Sequence, residues 1–450
     1  MPSTLDNPPK AALIGAFLAS AATISYVVKS YNKWERTSGL SSIQLLPSES
    51  SPIIRSAPPI SSVTFCTGDW QDAEKQLRLK VAEIVHCNPW LDSTLEEEGG
   101  GLAAYYPAGS KSIFSVRGDI EIRRVVSHTK MEEYNDMVQS LQDVLCKTTD
   151  ESVGRKTPLW RVTLIPAPDD DDDETSTTEA CYAVVVSANH SLMDGHGYYR
   201  LYNMLSEGAR VERLNPVRDL NSPRKIVEAM GGEPSLMSKT LPGFLMRFLW
   251  GTFKNSVLKE TKAMGFLISS DFVQAEKKRA GAVKVSTNDV VVSSFSKAIG
   301  CSVTMMACNF RGRIADVGND HVGNYEDLVC YTPEDYGTPE LIRASVGGGT
   351  FKRAGGGRMP TNLEHFQGGF YGVVTNWATF AKTLKMEGGA QDLHLPLFDW
   401  NTTTPASVSS AMVIFRPREG EVAALVAGSE RALEKIRASG IVGGNMGEEQ

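Results

Sequence analysis

The sequence predicts a two-domain α/β protein in which mixed sheets are layered with helices. Three observations carry that expectation. The chain has 450 residues, 41% of them hydrophobic, enough to bury two cores. Helical and strand-like patterns alternate from about residue 60 onward. That alternation breaks over 206–265, where Pro216, Pro223, Pro234 and Pro242 punctuate a stretch with no clean period. The break reads as a crossover linking an N-terminal unit, 41–205, to a C-terminal unit, 266–450, with 1–40 set apart from both.

Trp70, Ala73, Leu77, Val81 and Ile84 recur at helical spacing behind the capping-type Thr67-Gly68-Asp69, and Asn88-Pro89 stops that helix. Tyr134, Met137, Leu141 and Val144 mark a second amphipathic helix. Residues 159–165 and 181–187 read as strands. Between them, after Pro168, runs an acidic stretch, 169–174. It reads as a solvated hairpin loop, because like charges repel and extend; metal binding is the weaker alternative. Residues 241–250 are strongly apolar and read either as a helix packed between domains or as a lip at the mouth of a tunnel. Beyond 283 the alternation resumes with a capped helix from Asn288 through Ile299 and a strand over 301–310. A strand pair over 411–415 and 422–426 follows, then a closing helix with Gly440 in the C-cap position.

Composition narrows the functional classes. A formal charge of −7 gives no reason to expect a nucleic-acid partner. The seven cysteines lack CxxC spacing, which suits reduced thiols rather than a disulfide framework or a zinc site. His86, His128, His321, His365 and His394 also lack metal-ligand spacing, so no metal is assigned. Residues 11–28 carry no charge and lie between Lys10 and Lys29. They read as an uncleaved membrane anchor, with Lys29, Lys33 and Arg36 favouring a cytoplasmic flank such as that of the endoplasmic reticulum. A cleaved targeting segment ending at Ala19-Ser20-Ala21, or a soluble helix, are the alternatives.

The chemistry concentrates at His190-Ser191-Leu192-Met193-Asp194-Gly195, reached directly from the strand over 181–187. A strand end holds an imidazole rigidly, and Gly195 is expected to let the chain turn sharply after the aspartate. An ordinary histidine pKa of about 6.5 allows it to accept a proton near neutrality. The residues alone also allow a core histidine beside a turn-forming Asp-Gly. There is no GxSxG elbow, and no cysteine is placed as a nucleophile beside a histidine.

His190-xxx-Asp194-Gly195 resembles the HxxxDG signature of the CoA-dependent acyltransferase superfamily. That group includes chloramphenicol acetyltransferase, plant BAHD enzymes, condensation domains, wax ester synthases and alcohol acetyltransferases. Other segments resemble family segments in the required order: 84–91, 157–162, 286–290, Asn309-Phe310-Arg311-Gly312-Arg313, Val322-Gly323-Asn324 and Thr375-Asn376-Trp377. The resemblance covers roughly 60–440. Two positions depart from it. Asn189 stands where many members have a second histidine, and Phe398-Asp399-Trp400-Asn401 replaces the plant DFGWG.

The resemblance implies a chloramphenicol acetyltransferase-like fold with an interface tunnel and His190 midway along it. It implies O-acyl transfer from acyl-CoA to an alcohol, with acyl-CoA as co-substrate and no bound cofactor. The expected chain is a monomer, and the anchor-like 11–28 together with the apolar 241–250 tilt the expected small-molecule acceptor toward a lipophilic one. His190 is the implied general base and Thr375 the oxyanion donor, with Trp377 packed beneath it. Asp194 is expected to pair with Arg311, or failing that Arg313, beside Gly195; a second catalytic acid at Asp194 is the alternative. Gly347-Gly348-Gly349 and Gly355-Gly356-Gly357, with Lys352, Arg353 and Arg358, read as a flexible loop, with contact to CoA phosphates as the weaker idea. Two rival functions remain: amide formation on a carrier-bound acyl group, and ligand binding without catalysis.

Overall fold

The computed structural model describes residues 30, 32–33, 35–109, 113–122, 131–166, 181–232, 261–348, 351–361, 363–364, 369–399 and 410–444. The expectations for 11–28, for the acidic run 169–174 and for the apolar stretch 241–250 lie outside these residues. Among the described residues, no helix is long and apolar enough to cross a membrane.

Strands of the first part are β1 (Ser41–Gln44), β2 (Ile60–Thr67), β3 (Thr94–Glu98), β4 (Gly101–Tyr106), β5 (Phe114–Val116), β6 (Trp160–Pro166) and β7 (Cys181–Ala188). The second part adds β8 (Lys262–Ile268), β9 (Cys301–Asn309), β10 (Glu326–Tyr331), β11 (Phe370–Asn376), β12 (Lys385–Met386), β13 (Gly389–Pro396), β14 (Ser410–Phe415), β15 (Ala423–Gly428) and β16 (Val442–Gly444). They form a small sheet β1-β4-β3, a six-stranded sheet β12-β13-β2-β7-β6-β5 and a seven-stranded sheet β10-β9-β11-β14-β15-β8-β16. The mixed α/β architecture agrees with the expected class.

The expected division at 206–265 does not partition the strands. β13 pairs antiparallel with β2, Leu395 opposite Val63 and His394 opposite Thr64, so 385–396 completes the six-stranded sheet although it lies inside the 266–450 unit. The physical reason is the exposed edge of β2: unpaired N–H and C=O groups there are covered by a strand from the other part of the chain. β8 likewise begins inside the expected crossover, at Lys262.

Local signals explain most helices. Asp69 caps Trp70–Cys87 through the Gln71 N–H, and Ala73, Leu77, Val81 and Ile84 form its buried stripe. Ser286 and Asp289 make a reciprocal capping box on Thr287–Ile299, which ends at Gly300 with φ +73°. Two boundaries differ from expectation. The helix through Tyr134 stops at Ser140 and continues as a 3-10 turn over Gln142–Val144. The closing helix ends at Arg437 with Ala438 as its cap, so Gly440 lies beyond the cap, at φ +83°.

The two faces of the seven-stranded sheet differ. One carries Met306, Cys308, Val329, Tyr331, Val374 and Ile414, which pack with Val290, Phe295 and Leu433 from the covering helices. On the other face, Val413, Phe415 and Leu425 join the core of the six-stranded part. This second face therefore looks toward the first sheet, and its β9–β10–β11 end bears the candidate site.

Candidate active site

His190 lies two residues past β7 and is fixed by its neighbours. Asn189 is fully buried: its Oδ1 accepts from the Ser191 N–H at 3.0 Å, and its Nδ2 donates to the Lys147 carbonyl at 3.0 Å. The Thr149 hydroxyl lies 2.8 Å from Asn189 Oδ1 and 2.7 Å from Ser191 Oγ. Asn189 is thus a bracket for the loop. The His190 carbonyl accepts from Asn324 Nδ2 at 2.9 Å.

The imidazole itself is half-buried. Nδ1 is sealed from solvent without a hydrogen bond of good geometry, which leaves Nε2 as the accessible nitrogen. Burial lowers the ring's pKa below the ordinary histidine value, more strongly than its own carbonyl and Asp194 raise it. At neutral pH the ring is therefore uncharged, with a lone pair ready for a proton.

Asp194 does not face that nitrogen's surroundings as an acid. Its carboxylate is gripped by Arg311, Nη1 to Oδ2 at 2.7 Å and Nη2 to Oδ1 at 3.1 Å, with both side chains essentially inaccessible. Oδ1 also accepts from the Gly197 N–H, capping the helix Gly195–Met204, and Oδ2 accepts from the Tyr325 N–H. Burial acts to raise its pKa, but the Arg311 charge and these hydrogen bonds outweigh it and hold the group ionised. Arg311 spends its remaining donors on the carbonyls of His321 (2.7 Å) and Gly323 (2.6 Å) and on Asn309 Oδ1 (3.0 Å). Arg313 is elsewhere, its guanidinium stacked over Phe351 at 4.9 Å.

A second buried ion pair, Glu49–Arg218, braces the same loop and was not legible in the sequence. Arg218 Nε meets Glu49 Oε2 at 3.2 Å, and Arg218 Nη2 donates to the Leu192 carbonyl at 2.6 Å. Glu49 Oε1 accepts from the Asn324 N–H, and the Glu49 carbonyl accepts from Ser191 Oγ. Gly323 runs between the two ion pairs at φ +127°. A Cβ there would meet both Arg218 Nε and Glu49 Oε1 at 2.9 Å, so only glycine fits. The sole sequence signal was that glycine within Val322-Gly323-Asn324.

Gly195 plays a different part from the sharp turn expected of it. It opens the helix without positive φ, and the Trp377 indole rests on it: a Cβ would stand 3.3 Å from Nε1. The indole also meets Tyr199 and Phe398 edge-on or tilted, at 5.9 and 5.3 Å. Trp377 directly follows β11, so this contact docks the end of β11 onto the motif loop. Thr375, two residues earlier, is half-buried on the sheet face that looks toward the first sheet. Asn309, at the end of the neighbouring strand β9, reaches His196 Nδ1 at 3.5 Å, while His196 Nε2 donates to the Asn319 carbonyl at 3.0 Å. His196 thus points at the loops of the second part, away from the His190 loop's braces.

Two further groups lie close by. Glu326 opposes Asn309 across β10 and β9, and burial, with Asp194 nearby, pushes its carboxyl up to about 8. Tyr199 and Tyr202, on the motif helix, meet His394 Nε2 and Nδ1 at 3.0 and 3.2 Å, and Thr64 Oγ1 also meets Nδ1, at 2.9 Å. Burial pushes the His394 pKa down to about 3. In the glycine-rich stretch, Arg353 pairs with Asp335 at 3.1 Å and Arg358 with Glu364 at 2.6 Å, so two of the three candidate phosphate contacts face carboxylates. Among the described residues, no group of three or more His, Cys, Asp or Glu could hold a metal ion.

Comparison with solved structures defines the fold. The chain superposes on TRI101 of F. graminearum complexed with coenzyme A and deoxynivalenol with a TM-score of 0.54 and 14% identity, covering 88% of this chain and 97% of that one. Vinorine synthase gives a TM-score of 0.54 at 12% identity over 91% and 99% of the two chains. The condensation domain of the monacolin K polyketide synthase MokA gives 0.53 at 12% identity over 89% and 96%. The shared fold is the two-domain, chloramphenicol acetyltransferase-like one that the resemblance implied. No protein-family model and no curated protein sequence matches the chain.

Proposed function

We propose that this protein transfers an acyl group from a CoA thioester to the hydroxyl of a small, lipophilic acceptor, with His190 as general base. The observation that carries this reading is the setting of the His190 ring: its loop is fixed, its Nδ1 is sealed and its Nε2 is left accessible, and burial favours the uncharged form. A thioester is already activated, so a covalent nucleophile is not needed. His190 Nε2 takes the acceptor's hydroxyl proton as its oxygen attacks the thioester carbonyl. The Thr375 hydroxyl donates to the oxyanion of the tetrahedral intermediate. Collapse breaks the C–S bond, and the departing thiolate takes the proton from His190. The products are the ester and free CoA, and no acyl-enzyme forms. Base catalysis of this kind supplies about 10²–10⁴-fold.

Asp194 and Arg311 are positioning residues in this scheme, since every oxygen of Asp194 is committed to Arg311 and backbone N–H groups. Residues 11–28 are read as the segment that brings the enzyme to a membrane where lipophilic acceptors partition.

The test is release of free thiol from a panel of acyl-CoAs with mixed alcohol and amine acceptors, using the full chain and His190→Ala in parallel. Alcohol-dependent release that His190→Ala abolishes supports the reading. Histidine-dependent release with amines alone would redirect it to amide formation. No histidine-dependent release from folded protein would overturn it in favour of a carrier-dependent or purely binding role.

A further inference from the structure

The inner face of the seven-stranded sheet carries a contiguous half-buried patch next to the motif loop. Register fixes its layout: Glu326 lies opposite Asn309, Leu328 opposite Ala307, and Val373 opposite both Met305 and Ala411. Thr375 falls one step past the Val374–Met306 pair and so, by strand alternation, on this inner face. Leu328, Val373 and Ala411 pack only at the margin of a small cluster around Val303, Met305 and Tyr371. The opposite face of the same strands is closed by helices. This mostly apolar, half-buried face lies beside the motif loop and outside both large cores.

The polar groups of this face are few and separated. Thr375 stands at its centre, and Asn309 and Glu326 at the end beside His196. Asn309 is occupied by Arg311 and His196. No described residue makes a hydrogen bond or ion pair to the Glu326 carboxyl, although it is half-buried beside Asp194 and Arg311.

We propose that this face is the acceptor floor and that Glu326 is a specificity-determining residue, donating a hydrogen bond to a carbonyl or ether oxygen that the acceptor carries in addition to the hydroxyl being acylated. The inference rests on the acyl-transfer reading above. Glu326 and Thr375 are separated by two strand spacings and about one side-chain repeat along the strands, roughly 10–12 Å. The recognised oxygen therefore sits roughly 10 Å from the Thr375 end of this face, across a rigid apolar skeleton of fused rings. Donation requires a protonated carboxyl. The groups facing it favour that form: Asp194 and the neighbouring Asp327 raise its pKa, as does burial, and the Arg311 charge, already neutralised by Asp194, opposes them less strongly. His196, on the other side of Asn309, is itself held neutral by burial and by Arg311.

The experiment measures kcat/KM for matched polycyclic alcohols with and without a distal ketone, using one acyl-CoA and the full chain. Wild type, Glu326→Gln and Glu326→Ala are compared, with unfolding midpoints recorded for each. The expected result is a hydroxyketone preference of tenfold or more, carried in KM, retained by Glu326→Gln and collapsed toward unity by Glu326→Ala. The wild-type preference should fade as pH rises through Glu326 ionisation, while that of Glu326→Gln stays flat. Equal preference in wild type and Glu326→Ala would overturn the proposal, as would a wild type with no preference. Should Glu326→Ala fail to fold, a pH-dependent preference in Glu326→Gln would overturn it alone. Absence of any His190-dependent alcohol turnover would instead fail the acyl-transfer reading itself, a distinguishable outcome.

Discussion

Trp377 and Gly195 meet so closely that a methyl group on Gly195 would lie 3.3 Å from the indole Nε1. Through this contact the end of β11 sets the position of the helix that follows the histidine motif. Gly195→Ala should therefore destabilise the protein by about 1–3 kcal/mol through overpacking, even though alanine is the better helix former. Chemical denaturation of the variant checks it. An unchanged or raised midpoint would mean that the indole moves aside freely.

His190→Ala should abolish thiol release by about 10²–10⁴-fold while leaving the unfolding midpoint near wild type. The ring is half-buried, and its Nδ1 makes no hydrogen bond to another residue. Thiol-release kinetics read beside a thermal melt separate the two effects.

Asp194→Asn is expected to act the opposite way, on stability as strongly as on rate. It leaves the Arg311 charge buried without its partner, a change that costs about 3–5 kcal/mol in comparable pairs. The double replacement Asp194→Asn with Arg311→Met should recover part of that loss, which a double-mutant cycle in denaturant measures.

Acid should weaken the fold through His394. Its folded pKa is depressed to about 3 by burial, whereas the unfolded chain takes up the proton near about 6.5. The unfolded state then binds more protons between those values, so stability falls as pH drops below about 6.5. The slope contributed by this group is at most about 1.4 kcal/mol per pH unit. His394→Gln should flatten the pH dependence of the midpoint in that window. By the same sign, activity should persist below the ordinary histidine pKa, because burial lowers the His190 pKa too.

The full chain should sediment with membranes, and a chain beginning at residue 41 should not. Fractionation of both after expression is the check; equal solubility would remove the anchor reading.

What the sequence disclosed depended on whether information was local. His190, Asp194 and Gly195 lie within six residues, and Arg311 belongs to a compact Asn-Phe-Arg-Gly-Arg segment, so both halves of the Asp194–Arg311 pair were legible. Glu49 and Arg218 lie in proline-containing stretches, joined only by the fold across 169 residues. Nothing in either neighbourhood announces a buried ion pair. β12 and β13 escaped notice for another reason: one is two residues long, and the other carries Gln391, Asp392 and His394, which blur the alternation expected of a strand. Glu326 was hidden because its burial arises from pairing with β9, not from its neighbours in sequence.

The pairing of β13 with β2 also has a consequence during synthesis. β2 leaves the ribosome more than three hundred residues before its partner, so one edge of the first sheet stays unsaturated for most of translation. The first part therefore finishes its sheet only when the second supplies β13, and a nascent chain halted before residue 389 offers an open strand edge to other chains.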